Sequence, residues 1–145
     1  MTDRLFVDTN ILMYAHDSTA GAKHQRAKAL LAQLWQERTG AISTQVLQEL
    51  AVNLRRKVAT PLPAKTIQEM VADYLSWHVV VTDGAAVLEA LDFMERYGIS
   101  FWDALIVQAA HTAGASVLYS EDLSHGQRYG SVVVENPLVD HIHEP

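Results

Sequence analysis

The sequence predicts an α/β fold in which a mostly parallel sheet of about five short strands is flanked by helices. Short apolar segments alternate along the chain with longer segments in which apolar residues recur at helical spacing. Parallel strands require this alternation because each crossover between them needs a connection of roughly a dozen residues, usually a helix. No linker or internal repeat interrupts the pattern, and we therefore predict a single domain over residues 1–145.

The predicted strands are short apolar segments, several of them rich in the β-branched residues that pack well in a sheet. They lie at residues 5–7, 41–42, 78–81, 117–119 and 132–134. Continuous apolar strands of this kind are typical of a parallel sheet that is covered on both faces. Residues 124–131 are rich in glycine and polar side chains and are predicted as a loop.

The predicted helices begin and end at residues with suitable capping chemistry. Ser43 or Thr44 can cap one helix, Pro63 suits the opening of the next, and Gly98 suits a C-terminal cap. A further helical pattern starts directly behind Asp8. The other predicted helices cover residues 22–35, 44–56, 63–77, 84–97 and 100–113.

The composition is that of a globular protein, because 49% of the residues are hydrophobic and 19% are charged. No apolar run approaches the roughly 18 residues needed to cross a bilayer, and no secretory signal pattern is visible. Cysteine is absent, which excludes disulfides and thiolate metal sites. We therefore expect a cytoplasmic protein that has no membrane partner.

The formal net charge of −6 disfavours nucleic-acid binding through the overall field of the protein. Most of the basic residues nevertheless lie within the first 65 positions, which allows a local basic surface. Solvated helix faces are the alternative interpretation of the same residues.

Four acidic residues occur among apolar neighbours, where a charge is unfavourable unless something pairs with it. Asp8 ends the first predicted strand directly before a helix, and Asp122 follows a later strand. Glu49 lies mid-helix at the border of an apolar stripe, and Asp103 shares a helix face with Ile106. In open α/β sheets ligands bind outside the carboxyl ends of the strands, so these acids are the candidate site.

Three of the acids also have a structural interpretation. Asp8 can accept hydrogen bonds from the free N–H groups of the following helix, and Asp103 fits a capping box opened by Ser100. Asp122 suits an ordinary turn. Glu49 is the hardest to explain in this way. Four carboxylates brought together would repel one another, and a divalent metal ion is the usual physical remedy.

Four strings of residues, in this order, resemble those of a known family. They are FVDTNIL at residues 6–12, QEL at 48–50, WDALI at 102–106 and LYSEDL at 118–123, the last followed by Gly126-Gln127 and Asn136-Pro137. The chain resembles the PIN-domain ribonucleases, most closely the VapC-type toxins of bacterial toxin–antitoxin pairs. The resemblance covers essentially the whole chain.

The resemblance implies a site for Mg²⁺, or alternatively Mn²⁺, at the edge of the sheet. Asp8 and Asp103 would be the principal ligands, and Glu49 and Asp122 would complete a catalytic cluster of four acids. Hard oxygen ligands of this kind suit Mg²⁺. Whether the site holds one ion or two stays open at this point.

Two further residues acquire a role through the resemblance. Asn10 and Ser120 would hold the carboxylates by hydrogen bonds. Ser120 stands where many members carry threonine, and the hydroxyl is kept. Members often show a further acid just after the position of Asp122, where this chain has Leu123-Ser124. The fourth ligand, Asp122, therefore lacks this accompanying acid.

The activity implied is Mg²⁺-dependent endoribonuclease cleavage of RNA by a toxin of a type II toxin–antitoxin system, with a small antitoxin partner and a homodimeric assembly. The helix over residues 22–35 is the candidate apolar surface for the antitoxin. Arg55, Arg56 and Lys57 follow Glu49 on one helix, and we predict that they lie near the path of the RNA.

Other functions compete with this interpretation. A housekeeping or inactive PIN domain could act in RNA processing or partner binding. A haloacid dehalogenase type phosphatase also has an Asp after its first strand, but it needs a second acid where this chain has Asn10. A response-regulator receiver domain needs a lysine after a late strand, and every lysine here lies at or before position 65.

Overall fold

The computed structural model describes residues 3–56 and 60–139. Six strands form one sheet: β1 (Arg4–Val7), β2 (Gly40–Ser43), β3 (His78–Val80), β4 (Ala115–Tyr119), β5 (Arg128–Tyr129) and β6 (Val132–Glu135). Their order is β3-β2-β1-β4-β6-β5, and all neighbours are parallel except β5 and β6. The predicted α/β fold with a mostly parallel sheet is confirmed.

The sheet differs from the prediction by one strand, because β5 lies in the segment that we predicted as a loop. Tyr129 pairs with Val132 across the two residues Gly130 and Ser131. Gly130 has a φ of 63°, a conformation that glycine adopts without steric cost. A glycine-serine pair between two short segments is a hairpin signal, but a strand of two residues has no periodicity of its own.

Six α-helices flank the sheet in the described part of the chain. They are α1 (Thr9–His16), α2 (Ala22–Glu37), α3 (Thr44–Arg56), α4 (Ala64–Tyr74), α5 (Gly84–Tyr97) and α6 (Phe101–Thr112). The side chains of Asp83 and Ser100 accept hydrogen bonds from backbone N–H groups at the starts of α5 and α6. None of the described helices is long and apolar enough to cross a membrane.

The central strands β1 and β4 place the residues that follow them at one edge of the sheet. Phe6 and Val7 of β1 are fully buried, as expected for a strand covered on both faces. Val7 pairs with Tyr119, and the backbone N–H of Asp8 continues the ladder with a 2.9 Å hydrogen bond to the Tyr119 carbonyl. The residues directly after β1 and β4 are therefore neighbours.

Helix α2 does not supply the apolar surface that we predicted for residues 22–35. Ala27, Leu31 and Leu34 are buried in the core, where α2 packs against α1. Trp35 is 38% exposed, but it packs against Tyr74. The prediction of this helix as a docking surface is wrong because its apolar stripe is used for folding.

Candidate active site

A cavity of about 450 Å³ lies at the carboxyl edge of the sheet, and all four predicted acids line it. Asp8 follows β1, and Asp122 lies in the turn after β4. Glu49 comes from the middle of α3, and Asp103 comes from the first turn of α6. The fold thus brings together four acids that are far apart in sequence.

Asp8 is the most buried of these acids, with 6% of its surface exposed. Its Oδ1 accepts a 2.7 Å hydrogen bond from the Thr9 backbone N–H, and its Oδ2 accepts one of 2.9 Å from the Ser120 hydroxyl. Burial, with smaller contributions from the charges of Asp122 and Glu49, raises the pKa of Asp8 to about 7 in spite of these two hydrogen bonds. The ionised form of Asp8 therefore needs a compensating positive charge.

Hydrogen bonds from helix α1 hold two of the other carboxylates. The Thr9 hydroxyl donates a 2.6 Å bond to Oε1 of Glu49, and the Asn10 amide donates a 2.9 Å bond to Oδ2 of Asp122. Both donors come directly after Asp8 in the sequence. A single short segment, residues 8–10, therefore contributes one acid and orients two more.

The acids are close enough to affect one another. Partial burial raises the pKa of Asp122, and the negative charges of Asp103, Glu121 and Glu49 raise it further. Glu121 itself is engaged outside the cluster, because its carboxylate accepts hydrogen bonds from the Tyr14 hydroxyl at 2.7 Å and from the Lys23 ammonium at 2.5 Å. Asp122 is thus repelled by two acids that line the cavity and by Glu121, which does not line it.

The structural and functional interpretations of Asp103 are compatible. Its backbone N–H donates a 3.1 Å hydrogen bond to the Ser100 hydroxyl, as the capping-box pattern predicts. The residue also lines the cavity. Asp8 combines the two features as well, since it caps α1 through Thr9. Capping therefore does not exclude either residue from a site.

The donor set of the cavity suits a hard divalent cation. It consists of four carboxylates, and no lysine, arginine or histidine lines the cavity within residues 3–56 and 60–139. The arrangement is not yet a ligand set, because no group of three or more described His, Asp or Glu side chains is placed so that it could hold a metal ion. The carboxylates would have to converge from their hydrogen-bonded positions to bind one.

The sequence matches the PIN domain family over residues 5–129. This chain belongs to the PIN domain family. Among curated proteins none matches the chain. The family assignment confirms the resemblance found in the sequence motifs.

Several solved structures share the fold of this PIN domain. The toxin VapC20 of Mycobacterium tuberculosis, which cleaves the Sarcin-Ricin loop, is 21% identical with a TM-score of 0.61, and the match covers 80% of this chain and 88% of that one. A toxin–antitoxin complex from Klebsiella pneumoniae is 17% identical with a TM-score of 0.67, covering 92% and 97%. DNA-bound VapBC from Salmonella typhimurium is 17% identical with a TM-score of 0.61, covering 94% and 99%.

The cavity of this PIN domain includes residues for which the sequence motifs predicted no role. Helix α3 lines it with polar residues on both sides of Glu49, and α6 adds an aromatic side chain beside Asp103. These residues are Gln45, Gln48, Asn53 and Trp102. The available signal lay on α3, since Gln45 and Asn53 are each four positions from Glu49 and Gln48 is three positions from Gln45.

The predicted basic residues follow the cavity along α3. Arg55 and Arg56 are exposed in the last turn of the helix. The Arg55 guanidinium donates a 3.1 Å hydrogen bond to the Leu62 carbonyl, and Arg56 lies seven positions after Glu49 on the same helix face. Lys57 lies outside the described residues.

Proposed function

We propose that this PIN domain is a divalent-metal-dependent endoribonuclease that hydrolyses RNA phosphodiester bonds. The observation that carries the proposal is the meeting of four carboxylates at one cavity, with the pKa of Asp8 raised to about 7 by burial. Perturbed carboxylates gathered in a cleft mark candidate functional sites. A phosphodiester is itself anionic, so it can enter this cavity only together with cations.

Asp8 and Asp103 are the proposed principal metal ligands, and Glu49 and Asp122 complete the cluster. PIN nucleases generally use divalent metal ions, and the all-oxygen donor set fits Mg²⁺ or Mn²⁺. When bound, such an ion supplies an activated water and relieves charge on the leaving oxygen.

The protein's own contribution is to hold these carboxylates in position. Ser120 orients Asp8, and Asn10 orients Asp122, in each case by a 2.9 Å hydrogen bond. Thr9 does the same for Glu49. Because Asp8 is nearly excluded from water, its interaction with a cation is weakly screened.

We further propose that the chain is the toxin of a type II toxin–antitoxin system, acts in the cytoplasm and forms a homodimer. The structural neighbours support the toxin–antitoxin part of this proposal, since they include a toxin and toxin–antitoxin complexes. An acidic cavity favours an antitoxin that inserts an Arg or Lys side chain. In the described part of the chain, apolar surface for association lies on α5, where Val87, Leu88 and Leu91 are exposed.

The phosphatase alternative is disfavoured by the position of Asn10. That mechanism needs a second acid at this place, whereas the Asn10 amide donates a hydrogen bond to Asp122 and carries no transferable acidic proton. A housekeeping PIN nuclease shares the proposed chemistry and differs only in its biological role.

RNA cleavage with and without metal tests the proposed chemistry. Cleavage by the wild type should stop in excess EDTA and return with Mg²⁺ or Mn²⁺, and Asp8→Asn and Asp103→Asn should be inactive. Asp92→Asn is the matched control, because it makes the same chemical change at an exposed ion pair on α5. Full activity in EDTA, or in both cavity variants, would overturn the proposal.

A further inference from the structure

The cavity has a neutral side in addition to its four acids. Three carboxamide side chains of α3, Gln45, Gln48 and Asn53, line it and are called here the amide wall. Gln45 and Asn53 lie four residues before and after Glu49, on the same helix face, and Gln48 lies three residues after Gln45. Trp102, in the first turn of α6, lines the same cavity.

Trp102 differs from the other two tryptophans, all three of which are described. Trp35 and Trp77 pack against each other and against Tyr74. Trp102 is 63% exposed, although its neighbour Phe101 contacts it edge-on. An exposed indole ring beside a cavity offers an aromatic face on which an unpaired nucleobase can stack.

Gln45 provides an independent indication that the cavity takes a ligand. Its side chain is 6% exposed, and neither its amide nitrogen nor its amide oxygen has a hydrogen-bond partner. Leaving a buried donor and acceptor unpaired is unfavourable, so such a group calls for an explanation. A carboxamide offers one donor and one acceptor side by side, which matches the edge of a nucleobase.

We propose that the amide wall and Trp102 form a nucleobase subsite, which holds one unpaired base of the RNA beside the cleaved phosphate. The proposal rests on the nuclease function proposed above. A base is neutral and is not repelled by the acids, whereas its phosphate depends on cations. In a duplex the base is stacked and its Watson–Crick edge is occupied, so it cannot enter the subsite.

Binding to a cleavage-deficient background tests the stacking role. Asp8→Asn in Mg²⁺ is mixed with a single-stranded RNA of about 12 nucleotides, with the same strand in a duplex, and with an abasic chain of equal length. The single strand should bind at least about tenfold more tightly than the other two, and adding Trp102→Ala should remove about tenfold of that affinity. Trp102→Phe should retain most of it, because the aromatic face is kept. Leu75→Ala, which truncates an exposed apolar residue at the end of α4, should change nothing.

Base preference tests the amide wall. Gln45→Met keeps the size of the side chain and removes the unpaired amide, so the fold should be at least as stable by thermal melt. Its relative affinities for oligo(A), oligo(C) and oligo(U) should change by about fivefold or more, since a hydrogen-bonding base contact discriminates strongly. Unchanged preferences in Gln45→Met and Gln48→Ala would remove the amide wall from the subsite.

The outcomes separate the subsite from the nuclease function. If the wild type cleaves RNA and Trp102→Ala changes neither the affinity nor the base preference, the subsite is overturned and the nuclease function stands. If single strands bind in a Trp102-dependent way but no metal-dependent cleavage occurs, the nuclease function is overturned and the base-binding site stands. If Trp102→Ala abolishes capture of a protein partner and leaves RNA binding intact, the indole is a protein contact and the subsite is wrong.

Discussion

The hydroxyl of Ser120 donates a 2.9 Å hydrogen bond to Oδ2 of Asp8, a residue 112 positions earlier in the chain. The two residues follow β4 and β1, which are adjacent parallel strands. Both are buried, and the same hydroxyl accepts a 3.3 Å hydrogen bond from the Leu123 backbone N–H. This hydrogen bond therefore ties the acidic cavity to the two central strands of the sheet.

We expect Asp8 to make the metal-free protein less stable as the pH rises. The pKa of Asp8 is raised from 3.8 to about 7, so between these values the native state keeps a proton that the unfolded state releases. The free energy of unfolding should therefore fall across this window. Asp8→Asn removes the cost of ionising this buried carboxyl. Its stability relative to the wild type should therefore grow with pH up to about 7. The gain should be a few kcal/mol, at roughly 1.4 kcal/mol per pKa unit.

Chemical denaturation in EDTA at several pH values measures this difference. At pH 8, Mg²⁺ should make the wild type more stable than Asp8→Asn, because an ion that binds only the native wild type stabilises it. Asp92→Asn again serves as the control and should show no such trend. A large loss of stability in Asp8→Asn at every pH would assign Asp8 mainly to capping of α1.

We expect Thr9→Val to reduce cleavage while leaving the fold intact. The Thr9 hydroxyl donates a 2.6 Å hydrogen bond to Glu49, and valine has the same shape without the donor. The turnover number should fall by about tenfold, and stability should fall by about 1 kcal/mol, the usual value of one hydrogen bond. Thr9→Ser keeps the hydroxyl and should retain most of the activity. Equal turnover for the valine and serine variants would show that Glu49 needs no orientation by Thr9.

We expect Arg56 to contribute more to RNA binding than Arg55. Arg56 continues the helix face that carries Glu49, whereas the Arg55 guanidinium is engaged by the Leu62 carbonyl. Arg56→Ala should lower the slope of log affinity against log salt by about 0.7, the value for one phosphate contact on a single strand. Arg55→Ala should lower it less, and a triple replacement including Lys57 should lower it most. Slopes that do not change in a salt titration would leave these residues as a solvated helix face.

We expect expression of the chain alone in a bacterium to arrest growth. Unrestrained cleavage of cellular RNA is the physical cause, so Asp8→Asn at equal abundance should be harmless. Co-expression with the gene immediately upstream or downstream should restore growth if that gene encodes the antitoxin. A wild type that is active on RNA in vitro but harmless in cells would favour a housekeeping nuclease.

The sequence by itself determined the candidate acids and the order along the chain of the helices and of five of the six strands. Helix starts are local events, and Ser100 caps α6 through a residue three positions away. The acids were detectable because a charge among apolar neighbours is unfavourable and therefore conspicuous. The sequence alone also predicted Asp8 and Asp122 at the ends of strands, since strand boundaries follow from the apolar pattern.

Only the tertiary structure decided what each side chain faces. The apolar stripe of α2 could have served a partner, but packing against α1 uses it for the core. Strand β5 has two residues and exists because β6 lies beside it. The raised pKa of Asp8 depends on elements that are distant in the chain, and so does the placement of Trp102 and the amide wall at one cavity. Periodicity gives the face of a helix, but burial and charge coupling arise only when those faces meet.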